Sequence, residues 1–140
     1  MLNQIKIQDI ITIAKEAGNK IMQIYDQDYD VEYKKDNSPL TDADKSANKI
    51  IEDRLNNLSV KLPILSEEGK DISYDIRKYW EYFWLVDPLD GTKEFIKKNG
   101  EFTVNIALIH NDMPVLGVVY APALDVCYWA KQGEGAFKDG

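Results

Sequence analysis

Tyr82-Phe83-Trp84-Leu85-Val86-Asp87-Pro88-Leu89-Asp90-Gly91-Thr92 is the stretch on which the reading of this chain turns. Its first five residues are aromatic or aliphatic and strongly β-prone. Two acids follow, separated by proline and leucine, and then glycine and threonine. A buried strand would deliver Asp87 at its carboxyl end. Proline fixes φ and would bend the chain so that Asp90 returns toward the same point. Glycine allows close backbone approach, and a short helix is read from about Thr92. The segment hands a strand over to a turn and a helix, and it divides a helical first half from a strand-rich second half.

Two long helix patterns precede it. Ile7, Ile10, Ile11, Ala14, Ala17, Gly18, Ile21 and Tyr25 recur at three- and four-residue steps, so residues 5–26 read as an amphipathic helix. A second helix is read over 42–57, with Ala43, Ala47, Ile50, Ile51, Leu55 and Leu58 inward and Thr41 as N-cap before an acidic first turn. Between them, Val31-Glu32-Tyr33 reads as a short strand and Asp36-Asn37-Ser38-Pro39 as a loop. Leu62-Pro63-Ile64-Leu65 is a brief apolar strand ending in Ser66-Glu67-Glu68-Gly69, and 74–79 holds a helical turn. Further strands are expected at 103–109, 115–120 and 126–130, with Asn111-Asp112 turning between the first two. The order gives an α+β fold, two helices layered on a largely antiparallel sheet. Gly133 to Gly140 reads as a hairpin turn and the start of another strand, so the chain is expected to be a portion of something longer.

Length and a 44% apolar content fit one globular domain. No apolar run approaches the roughly 18 residues that span a bilayer, and the first residues lack a secretory pattern. Cys127 is the only cysteine and His110 the only histidine, so neither an internal disulfide nor a zinc cluster is expected. These features point to a reducing cytoplasm. A net charge of -7 argues against a nucleic-acid polymer as partner. A phosphorylated small molecule stays open, provided lysines or a bound metal cancel the repulsion.

Asp87, Asp90 and the Leu89 carbonyl between them offer three hard oxygen donors, and a helix starting near Thr92 presents free N–H groups to an anion. Two carboxylates repel a phosphate unless a divalent cation lies between, and oxygen donors point to Mg²⁺. Taken alone, the segment also reads as a surface turn in which Asp87 caps a helix. An EF-hand fails on spacing, because Gly91 in the glycine position makes Val86 the first ligand and Lys97 the twelfth. Ser66-Glu67-Glu68-Gly69 offers a glutamate to the same metal, although adjacent acids alone are also a solvated turn. Thr41 and Asp44 form a capping pair, a structural role when taken alone.

In this order and spacing the three segments resemble the lithium-sensitive, magnesium-dependent phosphomonoesterases of the inositol monophosphatase superfamily, over essentially the whole chain. Trp84-Leu85-Val86 before Asp87-Pro88-Leu89-Asp90-Gly91-Thr92 is highly specific for it. The continuation through Lys93-Glu94-Phe95, with Ser38-Pro39-Leu40-Thr41-Asp42-Ala43-Asp44 and Ile64-Leu65-Ser66-Glu67-Glu68, is similar to the bacterial CysQ branch of 3′(2′),5′-bisphosphate nucleotidases. The resemblance implies the amino-terminal part of an αβαβα phosphatase fold. It implies Mg²⁺ as cofactor and adenosine 3′,5′-bisphosphate, a by-product of sulfate assimilation, as substrate, converted to AMP and phosphate. Glu67, Asp87, the Leu89 carbonyl and Asp90 are then metal donors.

On the same footing, Glu67, Leu89, Asp90, Gly91 and Thr92 line the substrate, with Lys34 (or its neighbour Lys35) beside the phosphate. Asp44 pairs with Thr92, and with Glu67 they orient the attacking water; no phosphoenzyme forms. The family carries a further metal-binding aspartate and most of its nucleoside pocket in a carboxy-terminal domain. Residues 1–140 are therefore expected to be a truncated, metal-binding amino-terminal domain, weak or inactive alone. An inositol or sugar phosphate stays open as substrate, as does a non-catalytic, vestigial metal-binding role. The resemblance also implies a cytoplasmic protein or one at the periphery of the inner membrane. An unpaired sheet edge implies self-association.

Overall fold

The computed structural model describes residues 2–26, 31–34, 39–69 and 71–139. A 3-10 turn at Leu2–Gln4 precedes α1 (Ile7–Tyr25), β1 (Val31–Tyr33), β2 (Pro39–Thr41), α2 (Asp42–Asn56), β3 (Ile64–Ser66) and α3 (Tyr74–Arg77). β4 (Tyr82–Asp90), α4 (Thr92–Ile96), β5 (Thr103–His110), β6 (Met113–Ala121), β7 (Val126–Lys131) and β8 (Gly135–Asp139) follow. This is the α+β order read from the sequence. α1 starts later than expected because Lys6, in an extended conformation, caps it. Residues 36–38 of the expected loop lie outside the described residues. Pro39 instead opens β2, which pairs antiparallel with β1.

β3 to β8 form one sheet in chain order. β3 runs parallel to β4, and every other neighbouring pair is antiparallel. The period of two decides which face is covered. Trp84 and Val86 of β4, Val104, Ile106 and Leu108 of β5, and Val118 and Tyr120 of β6 are buried. They share one core with Ile10, Ala14, Ala17 and Ile21 of α1 and Ala43, Ala47, Ile51 and Leu55 of α2. Leu85 and Val119, on the alternate face, are exposed.

Two local features fix the layers. A Cβ added to Gly18 would lie 2.5 Å from the Tyr120 ring, so the bare backbone of α1 packs directly on β6. Asn111 and Asp112 have φ of 48° and 68°, the two left-handed residues that a tight hairpin turn requires. Both lie where the sequence places the β5–β6 turn.

Candidate metal and phosphate centre

The strand carrying the two aspartates does not end at Asp87, which corrects the sequence reading. β4 continues through Asp87, Pro88 and Leu89 to Asp90. Asp87 pairs with Asn105 and Asp90 with Thr103, so three steps on β4 oppose two on β5. Residues three apart on a regular strand face opposite sides. One extra residue in a bulge restores a common side. The Asn105 amide, opposite Asp87, donates a 3.1 Å hydrogen bond to Asp90 Oδ2, and Thr103 Oγ1 in turn donates to Asn105 Oδ1 at 3.1 Å. Proline suits the bulge because it needs no ladder donor.

Gly91 follows at φ 94° and caps α4. A side chain here is excluded twice, by that dihedral and by the Glu101 carbonyl oxygen 2.9 Å from an added Cβ. α4 is a little over one turn, so its dipole is small and an anion here depends chiefly on nearby cations.

Thr92, the first residue of α4, reaches back to α2. Its hydroxyl donates to Asp44 Oδ1 at 2.8 Å, and the Leu89 carbonyl lies farther off at 3.3 Å. Asp44 Oδ2 accepts from the Thr41 backbone N–H at 2.8 Å and from the Thr41 hydroxyl at 2.6 Å. The capping box expected from sequence is present. Its acid has a second task, since the carboxylate that caps α2 also holds Thr92. Asp44 is fully buried, and three donors make that burial tolerable for a charge.

Glu67 follows β3, and its N–H donates to the Val86 carbonyl at 3.0 Å. It shares an open cleft of about 380 Å³ with Asp87 and Asn105. Burial, then the charges of Asp90, Glu67 and Glu68, push the Asp87 carboxyl up to about 6, against a smaller opposing pull from the Leu89 N–H. Four acids thus act on one spot. Lys34 donates a 2.6 Å hydrogen bond to Glu68 Oε1. Lys35, the other lysine weighed, lies outside the described residues.

Among the described residues no three His, Cys, Asp or Glu side chains converge into a ready-made metal cage. Mg²⁺ does not need one, because it keeps several waters and binds through one or two carboxylates plus substrate phosphate. The donor set fits the ion. Glu67, Asp87, Asp90 and the Leu89 carbonyl offer only hard oxygens, and beside burial the charges of Asp90, Glu67 and Glu68 bear on Asp87, charge that a divalent cation would relieve.

A sequence model of the inositol monophosphatase family matches residues 3–140. This chain belongs to the inositol monophosphatase family. Within it, the chain is 52% identical over 130 residues to the 3′(2′),5′-bisphosphate nucleotidase CysQ of Salmonella typhimurium, covering 91% of this chain and 52% of that protein. It thus spans about half the length of the curated relatives it matches. The crystal structure of CysQ from Bacteroides thetaiotaomicron superposes with a TM-score of 0.82 at 49% identity, over 96% of this chain and 48% of that one. A second member, an IMPase/NADP phosphatase complexed with Mg²⁺ and phosphate, superposes with a TM-score of 0.76 at 26% identity, over 90% and 47% of the two chains.

Two features of this candidate site escaped the sequence reading. Asn105 sits inside an ordinary strand pattern, and only the bulge brings it between the aspartates. Asn48 and Ser66 join α2 to β3, Ser66 Oγ donating to Asn48 Oδ1, and neither carries a motif.

Proposed function

We propose that this chain is the metal-binding amino-terminal domain of a magnesium-dependent phosphomonoesterase that converts adenosine 3′,5′-bisphosphate to AMP and phosphate. The 2.8 Å contact between Thr92 and Asp44 carries the chemical part of this reading. The identity to nucleotidases of the CysQ type carries the choice of substrate.

When bound, Mg²⁺ lowers the pKa of a coordinated water and neutralises phosphate oxygens and the leaving alkoxide. Glu67, Asp87, Asp90 and the Leu89 carbonyl are the groups that would hold it. Thr92 orients the nucleophile. Its hydroxyl proton is committed to Asp44, so its lone pairs are free to accept a hydrogen bond from water. Asp44 is saturated by donors and acts through Thr92, and Glu67 supports the same water. Gly91 allows the positive φ that turns β4 into α4, and Lys34 supplies positive charge at the rim. No covalent phosphoenzyme enters this route.

In the part of its relatives' length that this chain does not span, a carboxy-terminal domain would add a further metal-binding aspartate and the nucleoside pocket. No helix among the described residues is long and apolar enough to cross a membrane. The reading places the protein in the cytoplasm, at most peripheral to the inner membrane. The outer side of β8 lies at the sheet edge with Phe137 half exposed, which supports self-association, measurable by sedimentation over a range of concentrations.

The test is Mg²⁺-dependent phosphate release from adenosine 3′,5′-bisphosphate and from inositol 1-phosphate, by this chain and by a protein of its relatives' full length. The longer protein is expected to prefer the nucleotide and to lose activity as Asp90→Asn. Preference for the inositol phosphate would overturn the substrate assignment. Absence of turnover in the longer protein would favour a vestigial binding role.

A further inference from the structure

The adjacent acids Glu67 and Glu68 have different surroundings. Glu67 is exposed and shares the cleft with Asp87. The Glu68 side chain is 7% exposed, and its Oε1 accepts the 2.6 Å hydrogen bond from Lys34 Nζ. The turn carrying both is fastened to α2. Glu68 N–H donates to Ser66 Oγ at 3.3 Å, Ser66 Oγ donates to Asn48 Oδ1, and Asn48 Nδ2 donates to Glu52 Oε2 at 2.5 Å. Lys34 comes from the end of β1, 34 residues earlier.

Lys34 stands in a strong negative field. Burial pulls its ammonium down, but the hydrogen bond and charge of Glu68, with the charges of Asp44 and Glu67, outweigh burial and raise it. At Glu68 burial pushes the carboxyl up, Lys34 pulls it back, and Asp44 and Glu67 add to the push. The 2.6 Å contact joins the two groups as a largely buried pair on the Glu68 side.

An ammonium on a flexible four-carbon stem has two ways to satisfy its charge here. It can pair with Glu68, or it can turn to the oxygens of the adjacent Glu67, whose charge also acts on it. In the second position it competes with a divalent cation for the same donors.

We propose that Glu68 is a positioning residue that holds the Lys34 ammonium off the Glu67 carboxylate, leaving those oxygens to the cation and keeping Lys34 at the phosphate rim. The inference rests on the metal reading above, since it requires Glu67, Asp87 and Asp90 to take Mg²⁺. Glu68 itself binds neither metal nor substrate in this scheme.

Mg²⁺ binding to the chain, measured calorimetrically in the absence of substrate, tests it. Wild type, Glu68→Gln, Lys34→Met and the double variant are compared, each checked for folding by circular dichroism, with Glu68→Ala as a second removal of the charge. Glu68→Gln is expected to raise the Mg²⁺ Kd on the order of tenfold, the usual scale for losing an outer-shell partner. Lys34→Met alone is expected to bind Mg²⁺ no more weakly than wild type. The double variant is expected to recover the Lys34→Met affinity, because the competing cation is gone. A Glu68→Gln defect that Lys34→Met does not repair would show Glu68 acting directly, and would overturn the inference while leaving the metal reading standing. An unchanged Kd in Glu68→Gln and Glu68→Ala would overturn it too. Failure of wild type to bind Mg²⁺ would overturn the metal reading and the inference together.

Discussion

Thr92 Oγ1 lies 2.8 Å from Asp44 Oδ1 across 48 residues of chain. The other oxygen of the same carboxylate holds both the backbone and the hydroxyl of Thr41. One buried charge therefore joins the start of α2 to the start of α4. It links the stability of the helical layer to the position of the Thr92 hydroxyl.

Replacing Asp44 should therefore cost stability as well as activity. Asp44→Asn is expected to destabilise the chain by about 2–3 kcal/mol, because hydrogen bonds to a charged group contribute about 1.5–3 kcal/mol. Thr92→Val is expected to cost about 1 kcal/mol. Urea denaturation of the single and double variants should show a coupling of about 1 kcal/mol, since both lose one shared contact. Strict additivity would mean that the contact contributes nothing.

Asp87 gives the fold a pH dependence. Its carboxyl rises from 3.8 to about 6 on folding, so the folded chain holds this proton more tightly than the unfolded one. The group's contribution to stability is complete below about pH 4 and is lost as pH rises through 6. In EDTA the melting temperature of wild type should therefore fall across that window relative to Asp87→Asn. Saturating Mg²⁺, which needs the ionised form, should reduce the fall. Parallel profiles for the two proteins in EDTA would contradict the assignment.

At Gly91 the backbone conformation and the space both exclude a side chain. Gly91→Ala must hold φ at 94° with its Cβ against the Glu101 carbonyl oxygen. A loss of about 1–3 kcal/mol is expected in chemical denaturation, the usual cost of such backbone strain. A neutral substitution would show that this turn relaxes freely.

Asn105 offers a change that separates metal binding from folding. Its amide touches Asp90 at an exposed position, so Asn105→Ala should move stability by less than about 0.5 kcal/mol. Mg²⁺ affinity should nevertheless fall on the order of tenfold, because Asp90 loses the donor that orients it. Titration calorimetry and thermal melts on the same sample measure both quantities.

Much of the fold is legible before any coordinates. The helical spacing from Ile7 to Tyr25, the cap at Thr41 and the β-prone run before Asp87 are local patterns, and local backbone preference is enough to read them. The bulge is not legible in that way. Pro88 permits either a bend that ends the strand or an irregular strand, and the choice falls to the pairing of Asp87 with Asn105 and of Asp90 with Thr103. Glu68 is similar. Its neighbour Glu67 is chemically identical, and only the arrival of Lys34 from a distant hairpin distinguishes the two.

The sequence by itself determined the α+β order and the family, because those depend on residue type, spacing and short-range periodicity. Tertiary structure alone decided which side of β4 each aspartate faces, that Asp44 serves both a helix cap and Thr92, and which glutamate holds Lys34. Those facts arise from contacts between segments tens of residues apart. No local propensity encodes them, because each exists only once the sheet has brought the segments together.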